Sequence, residues 1–193
     1  SDTQLPTDYG VPSGWGSFRL RGEFPNLFDA NDSRAMFYTE GQTQSVDVVE
    51  SQSNGYLSEK WTNLTDAGEA GSPSNDGSAS TDFPVFRLAD VYLMLAEAVV
   101  RGGEGSSRTT ALSYVNALRM RAFGNDSGNI TDGQMTADFI LDERARELYM
   151  ECVRRTDLIR YGKFTTASYL WQWKGGTITG QAVDCLLYTS DAA

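Results

Sequence analysis

The chain contains no histidine, and this absence limits the chemistry open to it. Histidine is the commonest general base near neutral pH and a common metal ligand. The two cysteines, Cys152 and Cys185, do not make a disulfide framework or a zinc motif. Because Cys152 has apolar neighbours on a predicted helix, we expect a buried thiol there. We expect neither a metal site nor a cofactor.

Long apolar runs are also missing. No stretch approaches the ~20 residues that a membrane-spanning helix needs. The chain starts with Ser-Asp-Thr-Gln, without an initiator Met and without the charged and apolar regions of a signal peptide. We therefore expect it to be an internal piece of a longer protein.

Positive charge is scarce in the first half of the chain. Residues 1–86 hold 13 of the 26 acidic residues but only 4 of the 16 basic ones, whereas residues 87–163 hold 11 of each. A negative field of this kind opposes binding to nucleic acid or to an anionic membrane surface through charge. It is compatible with a neutral ligand.

The length of 193 residues suits one ordinary domain, with three parts along the chain. Residues 1–82 are rich in Gly, Asn, Asp and aromatics, which predicts loops with short strands near 16–20 and 45–49. The end of this part, residues 65–82, predicts an exposed and mobile loop. Residues 83–174 predict helices, and residues 175–193 form a tail.

The first predicted helix follows Phe83 and ends near Gly102 and Gly103. Its apolar residues have helical spacing, which predicts one buried face. This face consists of Leu88, Val91, Tyr92, Leu95 and Val99.

Two further helices are predicted, over residues 109–122 and from the N-cap residue Thr136 onward. A short Gly-rich turn joins the first two helices, so a tetratricopeptide-like antiparallel hairpin is expected. The expected buried faces are Ala111, Leu112, Val115 and Leu118 on the second helix, and Phe139, Ile140, Leu148, Tyr149 and Cys152 on the third.

Residues 142–164 form the most informative stretch, with six cations and five acids around an apolar stripe. The pattern predicts a helix followed by a shorter one. Glu143, Glu147 and Glu151 recur every four residues on one helix face, and paired carboxylates catalyse glycoside hydrolysis. Neighbouring arginines lower carboxylate pKa values, however, which is the wrong direction for a general acid. We therefore interpret the charges as links between helices.

A second set of oxygen ligands occurs in FDANDSR, at residues 28–34. Asp29, Asn31 and Asp32 have a spacing like that of calcium ligands, but the glycine and the distal glutamate of an EF-hand loop are missing. The sequence favours a capped turn over a metal site.

Three spaced motifs occur in the helical part: FRLADVYLMLAEA at residues 86–98, ALSYVNALRMRA at 111–122, and DERARELYMECVRRTDLIRYGKF at 142–164. In this order they resemble the C-terminal region of the SusD/RagB family, the outer-membrane glycan-capture lipoproteins of Bacteroidetes. Residues 14–24 (GWGSFRLRGEF) and 55–61 (GYLSEKW) resemble the region that precedes it.

The chain departs from the family pattern at two places. Cys152 stands where the family usually has glycine, which puts the local backbone geometry in question. After YLWQWKGG, which ends at residue 176, the family's usual proline-rich ending is missing, and residues 181–193 read QAVDCLLYTSDAA, which resembles translated adapter sequence. We expect residues from about 184 onward to be non-native.

The resemblance implies a mainly α-helical SusD-like fold and a non-catalytic function: oligosaccharide capture at the outer-membrane surface for a SusC-like TonB-dependent transporter. It also implies a lipid anchor on a cysteine that this chain does not include. Family members hold glycans on aromatic platforms, since Trp and Tyr stack on the apolar faces of sugars. The candidate ligand-binding residues are Trp15, Tyr9, Arg19 and Asn26.

Three other tryptophans, Trp61, Trp171 and Trp173, are predicted to be packing residues. Two alternative functions stay open from the sequence. One is a helical-repeat adaptor that binds only protein, and the other is a glycoside hydrolase.

Overall fold

Helices dominate the computed structural model, which describes residues 5–14, 18–48, 51–72, 79, 81–166 and 169. The mainly α fold predicted from the sequence is confirmed. The chain divides into two units, one with residues up to 26 and 36–83, and the other with residues 27–35 and from 84 onward. The division into residues 1–82, 83–174 and a tail stays a prediction.

The first unit is built mostly from turns. It contains a 3-10 helix at Pro6–Tyr9 and an antiparallel pair of strands, β1 (Phe37–Tyr38) and β2 (Leu57–Ser58), with Phe37 opposite Ser58. A second 3-10 helix, Phe24–Leu27, begins in the first unit and ends just past residue 26, where the chain enters the second unit.

The strands predicted near 16–20 and 45–49 are wrong where the structure describes them. Residues 18–20 and 45–48 do not belong to a strand. The physical reason at 45–48 is a competing side chain: the Oδ1 atom of Asn54 accepts the backbone N–H groups of Asp47 and Val48 at 3.1 and 3.0 Å. Those two donors are thereby used by a turn.

Asn63 fastens the loop that carries Tyr9. The buried Asn63 donates its backbone N–H to the Tyr9 carbonyl at 2.8 Å and its side-chain amide to the Gly10 carbonyl at 2.9 Å. Gly10 has φ +72°, and a Cβ atom there would lie 2.3 Å from the Asn63 carbonyl oxygen. Only glycine fits this close approach without a shift of the backbone.

The second unit contains α1 (Leu88–Val100), α2 (Arg108–Phe123), α3 (Ala137–Leu148) and α4 (Arg154–Arg160). The predicted cap of α3 is confirmed, because the Thr136 hydroxyl accepts the Phe139 N–H at 3.2 Å. The predicted end of the first helix near Gly102 and Gly103 is confirmed too, because α1 ends at Val100. Within the described ranges, no helix is both long and apolar enough to cross a membrane.

The buried face of α1 differs from the predicted one. Leu88 and Val91 are 62% and 48% exposed, while Ala89, Leu93 and Ala96 are almost fully buried. Alanines on either side of Leu93 let α1 approach its neighbours closely, so the core selects the small residues and turns the larger ones outward. Tyr92, Leu95 and Val99 lie at the edge of the core.

The face predicted for α2 is confirmed. Ala111, Val115 and Leu118 are buried, and Leu112 packs against the same core. Helices α1 and α2 pack together, and the rings of Tyr92 and Tyr114 stack with their centroids 4.2 Å apart. The fully buried Ile140 and the nearly buried Leu148 bring α3 into this core.

Between α3 and α4 the backbone reverses through residues with positive φ. Met150 has φ 60° and Cys152 has φ 62°. The prediction of a buried Cys152 thiol on a helix is wrong: the residue follows α3 and is exposed, while its neighbour Glu151 is buried. Its left-handed conformation accounts for the glycine that the resembled family has at this position.

We predict that Cys152→Gly stabilises the protein. Glycine adopts φ 62° without the steric cost of a Cβ atom, about 1 kcal/mol. Urea unfolding followed by circular dichroism measures the change. Cys152→Ala is the matched control, because it removes the thiol and keeps the Cβ. An equal gain in both variants would contradict the backbone explanation.

Candidate functional site

Glu143 is the most enclosed carboxylate of residues 142–164, with 0% exposure. Its Oε1 accepts a hydrogen bond from Arg34 at 2.8 Å, and its Oε2 accepts one from Arg119 at 2.8 Å. Arg146, one turn along α3, donates to the same Oε2 at 2.8 Å. Three guanidinium groups thus surround one carboxylate.

Glu147 and Glu151 continue this arrangement. Glu147 accepts hydrogen bonds from Arg34 at 3.0 Å, Arg87 at 2.7 Å and Arg121 at 2.5 Å. Both oxygens of Glu151 accept from Arg87, at 2.7 and 2.8 Å, which is the forked geometry of the strongest ion pairs. Arg34 thus bridges Glu143 and Glu147, and Arg87 bridges Glu147 and Glu151.

A second group of charges links α1, α3 and α4. Arg144 on α3 donates to Asp157 on α4 and to Asp90 on α1, both at 2.8 Å. Arg160 donates to both oxygens of Glu97 and to Asp157, all at 2.8 Å. We call the two groups together the ionic core, whose members are Arg34, Arg87, Asp90, Glu97, Arg119, Arg121, Glu143, Arg144, Arg146, Glu147, Glu151, Asp157 and Arg160.

Ion pairs in the ionic core favour the ionised forms of Glu143 and Glu147. Burial opposes ionisation of Glu143, but Arg146, Arg34 and Arg119 outweigh it and hold the pKa of this carboxyl at about 2, below its usual 4.5. Burial likewise opposes ionisation of Glu147, and Arg87 and Arg121 lower its pKa. A general acid needs a raised pKa, which is the opposite direction. The arginine contacts that join α3 to other segments confirm the interpretation of these charges as links between helices.

Sequence reasoning missed the partner role of Arg34. This residue lies in the segment 27–35, more than a hundred residues before α3, and is 7% exposed. The available signal was its rarity, since it is one of only 4 basic residues among the first 86. A lone arginine two residues from Asp32 in an acidic stretch indicates a specific partner.

The oxygen-rich turn around Asp32 is a capped turn. Asp32 accepts the backbone N–H of Arg34 at 3.0 Å and two of its guanidinium N–H groups at 2.8 and 2.7 Å. Asp29 is exposed, and its carboxylate lies 3.5 Å from Arg119. In the described ranges, no group of three or more acidic or cysteine side chains is placed to hold a metal ion.

Three of the four predicted ligand-binding residues lie in the described part of the first unit. The Tyr9 hydroxyl donates to Glu59 at 2.5 Å, and the Arg19 guanidinium donates to the Ser51 carbonyl. The exposed Asn26 accepts a hydrogen bond from Gln44 at 2.8 Å. Trp15 lies outside the described residues, so the shared role of the four stays a prediction.

Trp61 is partly buried, and its ring lies against Phe83 with centroids 5.9 Å apart. The Lys60 ammonium is 5.9 Å from the centroid of the same ring. Trp171, Trp173 and the tail from about residue 184 lie outside the described residues.

Comparison with known proteins gives a consistent result. The model of the SusD family matches residues 13–184. The starch-binding protein SusD of Bacteroides thetaiotaomicron is 38% identical over 158 residues, or 80% of this chain. A SusD-like protein of Bacteroides ovatus is 28% identical over 190 residues, or 91% of the chain. The chain spans 27% and 34% of the lengths of these two relatives.

We predict that Arg34→Ala destabilises the protein by about 3–5 kcal/mol, because it leaves buried Glu143 and Glu147 without one of their counter-charges. Chemical unfolding measures the loss. Arg108→Ala is the matched control: its pair with Asp132 is 44% and 60% exposed, so about 1 kcal/mol or less is expected. Equal losses would refute the buried role of Arg34.

We also predict that stability falls as the pH drops from about 4.5 towards 2. The folded-state pKa of Glu143 is depressed, so its contribution is complete above about 4.5 and is lost on protonation. Urea unfolding at several pH values measures the free energy of unfolding. Glu143→Gln should be less stable at pH 7 and show a smaller fall over this window. An unchanged fall would count against the assignment to Glu143.

Proposed function

The chain belongs to the SusD family, and on that basis we propose that it acts as a non-catalytic oligosaccharide-binding protein. The single observation that carries the proposal is the family match over residues 13–184, which includes both the loop-rich region and the helices. The starch-binding name of the Bacteroides thetaiotaomicron relative supports a carbohydrate as the ligand class.

The ionic core supports the non-catalytic part of the proposal. A glycoside hydrolase needs one carboxyl group that is protonated at working pH and a second that faces the sugar. Glu143 and Glu147 are both buried and both paired with arginine, and both have lowered pKa values, which favour the ionised form. The carboxylates that most resemble a catalytic set therefore serve as structural links.

We assign the ligand contacts to Trp15, Tyr9, Arg19 and Asn26 in the loop-rich region. Aromatic rings pack on the apolar C–H faces of sugars, and amide or guanidinium groups donate to hydroxyl oxygens. A neutral glycan is compatible with the acidic character of residues 1–86, where an anionic ligand would be repelled.

The proposal extends to the cell surface. We infer that the protein is held at the outer membrane by an N-terminal lipid anchor and delivers its oligosaccharide to a SusC-like TonB-dependent transporter. Family membership supports this step. Co-purification of a large outer-membrane barrel with the tagged protein from the native host would be the expected result, and its absence would count against the transporter partnership.

We predict that native affinity electrophoresis through a panel of neutral polysaccharides retards the wild-type chain. Trp15→Ala should lose most of that retardation, because it removes one stacking surface. Phe86→Ala is the control, since Phe86 is 83% exposed and lies outside the proposed contacts. Absence of retardation by every glycan would favour the protein-binding adaptor, and release of reducing ends would favour a hydrolase.

A further inference from the structure

Two anchors hold the segment of residues 59–63 against the Tyr9 loop in the first unit. At one end, Glu59 accepts the Tyr9 hydroxyl at 2.5 Å. At the other end, Asn63 donates to the carbonyls of Tyr9 and Gly10 at 2.8 and 2.9 Å. Trp61 lies two residues from each anchor, so its backbone is fixed next to a residue already assigned to ligand contact.

The ring of Trp61 packs beside a second aromatic ring. The Phe83 ring is tilted by 30° from the Trp61 ring, with centroids 5.9 Å apart. The Thr81 hydroxyl donates to the Thr62 carbonyl at 2.8 Å, which ties the chain leading to Phe83 to the same segment. Phe83 nevertheless remains 53% exposed. The pair thus presents an apolar surface to solvent at a defined position.

Two polar residues, Glu59 and Lys60, directly precede Trp61. The Lys60 ammonium lies over the Trp61 ring, 5.9 Å from its centroid. Glu59, the residue before Lys60, carries the carboxylate that accepts the Tyr9 hydroxyl. A flat aromatic face with polar side chains on neighbouring residues suits a pyranose, which has an apolar C–H face bordered by hydroxyls. A protein partner would need a larger apolar area, since stable interfaces bury roughly 800 Å² on each side.

We propose that Trp61 and Phe83 form a sugar-contacting surface in addition to the predicted contacts at Trp15, Tyr9, Arg19 and Asn26. The occupant is one pyranose unit of a neutral oligosaccharide, stacked on the Phe83 ring. Lys60 donates to its hydroxyls and Glu59 accepts from them. This assignment rests on the proposed function and gives Trp61 a role beyond packing.

Quantitative affinity electrophoresis on the polysaccharide that retards the wild-type chain most tests this assignment. Phe83→Ala should raise the apparent Kd about tenfold, the size expected when one aromatic contact is lost. Phe83→Leu should weaken binding similarly, because it keeps an apolar side chain but removes the flat ring. Phe83→Tyr should bind like the wild type. Phe86→Ala is the matched control, as an exposed phenylalanine three residues away.

The possible outcomes separate the two proposals. If no glycan retards the wild-type chain, the proposed function fails and this assignment fails with it. If the wild type is retarded and Phe83→Ala and Phe83→Leu match Phe86→Ala, the assignment alone is overturned. Urea unfolding of each variant checks the fold, and if Phe83→Ala is destabilised, the comparison of Phe83→Leu with Phe83→Tyr decides.

Discussion

The pairing of buried charges on α3 is the constraint on which the helical unit depends. A buried ion without a partner costs several kcal/mol, so each carboxylate of α3 must meet its arginines in one arrangement. Those arginines come from different parts of the chain: Arg34 from the segment 27–35, Arg87 from the start of α1, and Arg119 from α2. Hydrogen-bonded ion pairs depend on distance and direction, whereas hydrophobic contacts are non-directional. The ionic core therefore specifies how these elements are arranged more than it adds net stability.

The same constraint bears on where we expect the ligand site. The arginines around Glu143 and Glu147 are engaged in these ion pairs. We therefore expect the ligand contacts in the less regular first unit, where side chains such as Asn26 and Phe83 remain exposed. The first unit gains its own order from local bonds, such as those that Asn63 makes to the Tyr9 loop.

The sequence was sufficient to predict the helices, because helical periodicity and caps are local signals. Thr136 is an example, because its capping hydrogen bond joins it to Phe139, only three residues along the chain. The buried face of α1 could not be predicted in the same way, since the choice of Ala89 over Leu88 depends on how closely other helices approach. Arg34 was missed because its partners lie more than a hundred residues away. Cys152 was misplaced because the helix periodicity does not reveal where α3 ends. The ligand contacts predicted for Tyr9, Arg19 and Asn26 followed from residue type alone. Residue type does not reveal the hydrogen bonds that these side chains make to Glu59, Ser51 and Gln44.

The path of the chain gives the segment 27–35 a further significance. Residues 27–35 belong to the helical unit, while the chain on both sides of them belongs to the other unit. Their backbone is bonded there as well, since Ser33 donates to the Ala122 carbonyl at 2.9 Å and the Tyr149 hydroxyl donates to the Arg34 carbonyl at 2.9 Å. Proteolysis or gene truncation at residue 84 would thus not release a complete helical domain. Any attempt to dissect the protein has to supply this nine-residue strap, either covalently or as a peptide added in trans.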